Sequence, residues 1–242
     1  MKKFKNCLSI MRFQSLSCKD GKVKHTKSGV LYVSLSFDDG YASNYNMAKY
    51  LSAIGIKATF FITTNFKEEL FLPSTPERIV EMSHLGHEIG SHTCTHPNFL
   101  RSTRSEREYE LKESKKWLEN IVRKKIRSFA YPFFLYNEKV LQDTHKFYPV
   151  SRSRHLHVGS HEVDTFEVHF VTRKNVLSIL INTIFKDKID YALIVLHDLN
   201  LFQIALLLSS LKVLTQVIPR QIRFVTMSEL ADLMIKNSKT TI

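Results

Sequence analysis

In the stretch VLYVSLSFDDG, residues 30–40, apolar and small polar residues alternate until two aspartates and a glycine end the pattern. Leu31, Val33, Leu35 and Phe37 fall on one face, which is strand periodicity. Asp38-Asp39-Gly40 then stands at the C-terminal end of that strand. Asp-Asp-Gly is ordinary turn vocabulary. Two adjacent carboxylates at a strand end can equally have two separate tasks, and the choice depends on what else in the chain reaches them. Downstream, Met47, Ala48, Leu51 and Ile54 recur at helical spacing, and Gly55 stands where a C-cap glycine belongs. KATFFIT (57–63) reads as a second strand.

The alternation continues along the chain. Thr75-Pro76-Glu77 has the form of an N-cap followed by proline at the first helical position, opening a helix that ends at Gly86. HEIGSH (87–92) reads as a third strand. Thr103 and Glu106 frame a capping box for a long helix through Trp117, with Glu108 and Lys112 as i,i+4 partners. IRSFAYP (126–132), FEVHFVT (166–172), YALIVLHD (191–198) and IRFVTM (222–227) read as further strands. Residues 199–218 read as a helix, and Ser228 as the cap of a last one. Strands alternating with helices specify an α/β fold on a parallel sheet, open or closed into a barrel. No repeat and no linker composition divides the chain. Residues 30–242 are expected to form one domain, and 1–29, which lack clear periodicity, an N-terminal extension.

Composition narrows the class. Of 242 residues, 43% are hydrophobic and 24% charged, which excludes a disordered or fibrous chain. The 35 Lys and Arg against 23 Asp and Glu give a net charge of +12. Such an excess attracts anionic partners such as nucleic acid, acidic glycans or anionic lipid. The basic residues are spread along the chain, however, as on a generally basic surface, and no nucleic-acid partner is expected. The nearest approach to a cluster is Arg123-Lys124-Lys125 with Arg127. Cys7, Cys18 and Cys94 lack paired spacing, which argues against a disulfide framework. Arg12, Gln14 and Lys19 interrupt any apolar core near the N-terminus, so no signal peptide is read. The most apolar stretch, 199–218, carries Asn200, Gln203, Lys212 and Gln216 and suits a buried helix better than a membrane span. A soluble, cytoplasmic protein is the expectation.

Three predicted strands end in ionisable residues: Asp38-Asp39, His92 with His96, and His197-Asp198. In barrels of alternating strands and helices, catalytic residues come from the C-terminal ends of several strands. HTCTH (92–96) is an H-x-x-x-H pair, which at turn-like geometry lets two imidazoles meet one ion. Pro97 disfavours a helix there, so the pair belongs to a loop turn. With a carboxylate from another strand end, two histidines make a metal site that keeps open positions. A metal would divide the work at Asp38-Asp39: one carboxylate ligates and the other takes a proton from water acidified by the ion. His197 is then a candidate general acid. Together such groups suit hydrolysis of an acyl group. Cys94 reads as a packing residue and Asp198 as a turn residue.

These residues, in this order, resemble the polysaccharide deacetylases that share the nodulation-protein-B homology domain, carbohydrate esterase family 4. SFDDG (36–40), GSHTCTH (90–96), FAYPF (129–133) and LIVLHD (193–198) are similar to the first, second, third and last motifs of that family. The similarity runs from Leu31 to Leu233. It implies a distorted, TIM-barrel-like (β/α) barrel with about seven parallel strands. It implies that Asp39, His92 and His96 hold a divalent metal, usually zinc and sometimes cobalt, nickel or manganese. Asp38 would be the general base and His197 the general acid. The backbone amide of Phe133 would help bind the oxyanion, and Pro132 and Leu196 would shape the groove for the acetyl group. The implied reaction removes an N- or O-linked acetyl group from an acetylated sugar or glycan. The chain departs from the family in places. Ala130 stands where many members carry an arginine that tethers the base, and Phe134 where a subgroup reading FAYPYG has glycine. The only tryptophan, Trp117, lies outside the family's tryptophan-bearing fourth motif, leaving Asp164 as a candidate partner of His197.

Two rival readings have their own signatures. A non-haem iron oxygenase would use the two histidines and one carboxylate, but has no natural place for Asp38 and His197. A catalytically silent barrel would bind acidic glycan or nucleic acid through the basic surface, in a salt-sensitive way that survives loss of Asp39.

Overall fold

Strand β1 (Val30–Phe37) lies inside the sheet, paired on both edges, as a strand buried almost throughout requires. The computed structural model describes residues 29–65, 75–154, 156–159, 161–162, 167–170, 191–197, 200–217 and 221–239. The segment 1–28 of the expected extension, and Asp164 and Asp198, lie outside the described residues. The further strands are β2 (Thr59–Ile62), β3 (Glu88–Ser91), β4 (Ser128–Ala130), β5 (Val150–Arg152), β6 (Leu156–Val158), β7 (His161–Glu162), β8 (Glu167–Phe170), β9 (Tyr191–Leu196) and β10 (Gln221–Phe224). Their order across the sheet is β7-β6-β5-β4-β3-β2-β1-β9-β8. One edge of β1 is shared: its N-terminal half pairs with β10 and its C-terminal end with β2. The strands from β5 to β8 across this order pair in parallel, whereas β6 and β7 add antiparallel ribbon at one side. Among the described residues β7 and β8 do not pair, so the curled sheet is a half-barrel.

Six helices accompany the strands among the described residues: α1 (Ser43–Ala53), α2 (Pro76–His84), α3 (Arg104–Val122), α4 (Glu138–His145), α5 (Leu201–Val217) and α6 (Met227–Lys239). The alternation read in β1 sorts its side chains between two cores. Leu31, Val33, Leu35 and Phe37 join Met47, Leu51, Ile79, Leu111, Leu118 and Ile204 from the helices. On the opposite, concave face, Phe61, Ala130, Val150, Leu193 and Val195 pack with Met227, Leu230, Ala231 and Met234 of α6. Fully burying one such large side chain contributes about 1.5–3 kcal/mol. Gly90 on β3 is required by this concave packing: a Cβ there would lie 2.5 Å from the Phe61 ring and 2.7 Å from Ser128 Oγ.

The helix signals hold with three differences. Thr75 caps α2, and Thr103 with Glu106 forms the capping box of α3. α3 continues past Trp117 to Val122, where Arg123 in a left-handed conformation ends it. Glu108 meets Arg104 at 3.0 Å and Lys146 at 3.3 Å, and no Glu108–Lys112 pair forms among the described residues. The cap of α6 is Thr226, not Ser228: Glu229 N donates to Thr226 Oγ1 and Thr226 N to Glu229 Oε2. Ser228 Oγ instead donates to Glu88, joining α6 to β3. Two members of the basic cluster are tied into the fold, Lys124 to Ser83 and Arg127 to Asp232. No helix among the described residues is long and apolar enough to cross a membrane.

α4 is fastened to α3 by Arg107, whose guanidinium donates to Asp143 at 2.7 Å while Lys146 adds a contact at 3.0 Å. Burial pushes the Asp143 pKa up, but the bonds from Arg107 and Lys146 outweigh it and the net shift is downward. An unfolded aspartate titrates near 3.9, so the stabilisation is complete above that value and is lost as pH falls through the lower folded value. Asp143→Asn is expected to cost about 1–3 kcal/mol at pH 7. In urea unfolding, the gap between variant and wild type should shrink as the pH falls below about 4.

Candidate active site

Phe37 ends β1, and Asp38 N donates to the carbonyl of Leu196 at the end of β9 (3.2 Å). The backbone then turns through two left-handed residues, Asp39 (φ 73) and Gly40 (φ 82). Asp39 takes up a conformation that aspartate tolerates better than most residues. The turn gives the adjacent carboxylates different partners. Asp39 meets the two histidines, and Asp38 meets Arg152 and His197.

His92 follows β3 directly, with its N–H on Ile62 O (2.9 Å). Its Nδ1 lies 2.8 Å from the carbonyl of Ala130, which can only accept, so Nδ1 donates there and Nε2 is the ring nitrogen turned toward Asp39. Nε2 faces Asp39 Oδ1 at 3.4 Å. The chain then turns at Thr93 (φ 72) and His96 (φ 58), with His96 N on Thr93 Oγ1 (2.9 Å). His96 Nε2 reaches the same Asp39 oxygen at 3.5 Å. The pair therefore sits in a loop turn, as its sequence indicated. Glu110, on the buried side of α3, clamps this turn: it accepts Cys94 N (2.7 Å), Thr95 N (3.0 Å) and Thr95 Oγ1 (2.7 Å). Cys94 is buried, its thiol against the Glu110 carbonyl, and packs as expected.

The ligand atoms of Asp39, His92 and His96 all lie within 4.8 Å of one another. A tetrahedral zinc with ligand bonds of about 2.1 Å holds neighbouring donors about 3.4 Å apart, which the two Nε2–Oδ1 separations match. The protonation states suit a cation as well. Burial raises the Asp39 pKa, but the hydrogen bond and charge of His92 and the charge of His96 bring it down to about 2. Burial, then the neighbouring His92, lowers His96 to about 4. At neutral pH Asp39 is therefore an anion and His96 a neutral imidazole.

Asp38 is 2% exposed and its Oδ1 accepts Nη2 of Arg152, which is fully buried on β5. Burial raises the Asp38 pKa, but Arg152, His92 and His197 outweigh it and the net shift is downward, so the buried carboxylate is ionised. Its Oδ2 faces His197 Nε2 at 3.8 Å, and the His197 side chain is 47% exposed at the rim. Opposite, the Pro132–Phe134 turn carries two left-handed residues, Phe133 (φ 57) and Phe134 (φ 60). The Phe133 ring lies half-exposed and edge-on to His96, 4.6 Å between centroids. Pro132 is buried beneath it. Leu196 is fully buried in the helix-facing core and meets the site through its carbonyl.

The structure thus brings together Asp38, Asp39, His92, His96, His197 and the Phe133 turn. Sequence reasoning missed Arg152 and Glu110. Both had a faint signal: Glu110 is a charge on the stripe shared by Ser114, Leu118 and Val122, and Arg152 falls on the alternation begun by Val150.

With this geometry in hand, comparison with known proteins is specific. The polysaccharide deacetylase profile matches residues 25–148. YxkH of Bacillus subtilis (strain 168), named for the same family, is 32% identical over 141 residues, 55% of this chain and 49% of its own length. The peptidoglycan-N-acetylmuramic acid deacetylase PdaA of the same organism is 29% identical over 123 residues, 50% of this chain and 44% of its own. The chain spans about half the length of these curated relatives, or less. The chitin deacetylase from the fungal pathogen Colletotrichum lindemuthianum superimposes with a TM-score of 0.61 at 15% identity, over 86% of this chain and 89% of that one. It shares the curled (β/α) barrel fold. The family itself is shown by the profile, which matches just over half of the chain: this chain belongs to the polysaccharide deacetylase family.

Proposed function

We propose that this chain is a divalent-metal-dependent deacetylase that hydrolyses an N- or O-linked acetyl group on a carbohydrate. The observation that carries the reading is one carboxylate pair split between two tasks. Asp39 converges with His92 and His96, while Asp38 stays buried, ionised and next to His197. Asp39, His92 and His96 would hold the cation, zinc by the character of the donors, and it would supply Lewis acidity toward the acyl carbonyl and toward water. Asp38 presents Oδ2 to the open side and takes the proton of the attacking water. The Phe133 amide, on its left-handed turn beside His96, offers a donor to the oxygen on which charge develops. His197 at the rim protonates the departing amine or alkoxide as the acyl bond breaks. Asp38 is then protonated and His197 neutral. At 3.8 Å the two are too far apart for a direct hydrogen bond, so water would carry the proton from Asp38 back to His197 and reset both groups. A sugar substrate is supported by the family and by the substrates named for PdaA and the fungal chitin deacetylase. Residues 30–242 are the catalytic unit in this reading.

The direct test is acetate release from chitooligosaccharides, N-acetylglucosamine derivatives, acetylated xylan and an activated acetate ester, with metal-free protein and after adding zinc, cobalt or manganese. Metal-dependent acetate is expected from at least one. Its absence from all of them with folded, loaded protein refutes the reading.

Asp39→Ala and His92→Ala are expected to lose zinc and turnover together. Zinc retained at wild-type affinity in both removes the ligand assignment. Asp38→Asn should keep zinc and lower kcat by about 10²–10⁴-fold. His197→Ala should slow amide substrates more than an activated ester, whose leaving group needs no proton.

Glu110→Ala removes the acceptors of Cys94 N, Thr95 N and Thr95 Oγ1 and loosens the turn between the histidines. Equilibrium dialysis is expected to show about 10–100-fold weaker zinc binding, as for other residues that orient metal ligands. Unchanged affinity would make Glu110 a packing residue only.

A further inference from the structure

Arg152 is fully buried, and only one of its nitrogens has an assigned task. Nη2 donates to Asp38 Oδ1, while Nε and Nη1 have no hydrogen-bond partner among the described residues. A buried ion pair with unsatisfied donors is a poor stabiliser, because desolvating both charges offsets their attraction. Its place in the sheet suggests a different purpose. Arg152 is the register partner of Ala130 on β4, and Tyr131 N bonds its carbonyl at 3.0 Å. Partners in register project to the same face, here the concave one. The methyl group of Ala130 leaves the space beside Asp38 to the neighbouring strand. The guanidinium also lies against two aromatic rings: its Cζ is 5.1 Å from the Phe61 ring centroid and 5.3 Å from that of Phe134. Phe134 takes a left-handed conformation at φ 60 to place that ring, a strain that a residue other than glycine adopts only when its surroundings enforce it. Aromatic faces attract a desolvated guanidinium and shield it from water.

We infer that Arg152 is the positioning residue of Asp38, reaching from β5 across Ala130, with Phe134 and Phe61 as the walls that fix its guanidinium. Holding Oδ1 directs Oδ2 toward His197 and the open side. The tether acts on the carboxylate alone and not on Asp39, His92 or His96. This inference rests on the proposed deacetylation for its kinetic consequence, but the contact itself does not.

The experiment compares wild type with Arg152→Met, Arg152→Lys, Phe134→Gly and the swap Ala130→Arg/Arg152→Met. It measures kcat and KM on the best acetylated substrate and zinc affinity by dialysis. Arg152→Met is expected to lower kcat about 10²-fold, the scale of a misplaced catalytic group, with KM and zinc affinity unchanged. Arg152→Lys should recover part of kcat, the swap should recover more than Arg152→Met alone, and Phe134→Gly should show a smaller loss in kcat only. Wild-type kcat in folded, zinc-loaded Arg152→Met overturns the inference. So does a fall in zinc affinity that parallels kcat, which marks a structural role. If Arg152→Met does not fold, Arg152→Gln is read by the same criteria. If the wild type releases no acetate from any substrate, the functional reading fails separately. The tether is then judged by a double-mutant cycle of Asp38→Asn and Arg152→Gln in urea unfolding. Non-additive effects support it, and strictly additive ones overturn it.

Discussion

A carboxylate buried at the end of an inner strand must be compensated or it will not stay charged. Asp38 is such a group, and much of the surrounding structure answers it. Arg152 supplies the opposite charge from three strands beyond β2, and His92 and His197 add to it. The curl of the sheet makes this possible, because it brings the face of β5 round toward that of β1. A flat sheet would leave the two side chains apart. The concave interior is therefore a requirement for this ion pair, and the α6 residues that pack into it, Met227, Leu230 and Met234, support the same geometry.

Parallel strands explain why the other groups meet. Every parallel strand ends on the same side of the sheet, so β1, β3, β4 and β9 deliver Asp38-Asp39, His92, the Phe133 turn and His197 to one rim. Hydrogen bonds between these ends then fix their relative positions. Asp38 N binds Leu196 O, Thr63 N binds Asp39 O, His92 N binds Ile62 O, and His92 Nδ1 binds Ala130 O. The ladder of the sheet thus continues into the site and positions Asp39 and His92, whereas His96 is positioned by the loop turn that Glu110 and Thr93 hold.

What could be read from the sequence was what is encoded locally. The alternation of β1 and the caps of α2 and α3 each depend on residues a few positions apart, and the structure has them. The candidate ligands were also legible: His92 follows the third strand directly, His96 shares its turn, and two aspartates end the first strand, though the choice of Asp39 over Asp38 came from the family resemblance. Arg152 and Glu110 were not, because their partners lie 114 and 16 positions away. No spacing rule links a residue on β5 to one on β1, and Glu110, although it shares the stripe of Leu118 and Val122, carries no local sign of the turn it holds. The misplaced cap of α6 has a similar cause. Thr226 and Ser228 are both good cap residues, and Glu88 on β3 takes up the hydroxyl of the second.

Backbone strain explains why the site needs so many supporting bonds. Six described residues other than glycine have left-handed φ, and five of them, Asp39, Thr93, His96, Phe133 and Phe134, line this rim. Each such conformation costs on the order of 1–3 kcal/mol, somewhat less for aspartate. Their sum is comparable to the whole stability of a typical domain, about 5–15 kcal/mol. A site of this kind persists only if its surroundings over-determine it. Glu110 gives three bonds to the turn between Thr93 and His96, Thr93 Oγ1 adds a fourth, and the amide of Phe134 is held by Tyr131 O. The strained residues set the directions of the ligands and of the Phe133 amide, and the bonds around them keep those directions fixed. The sixth residue, Arg123, merely ends a helix, where a left-handed residue is ordinary. The other five surround the Asp39, His92 and His96 group, so backbone strain marks the same rim as the side-chain geometry.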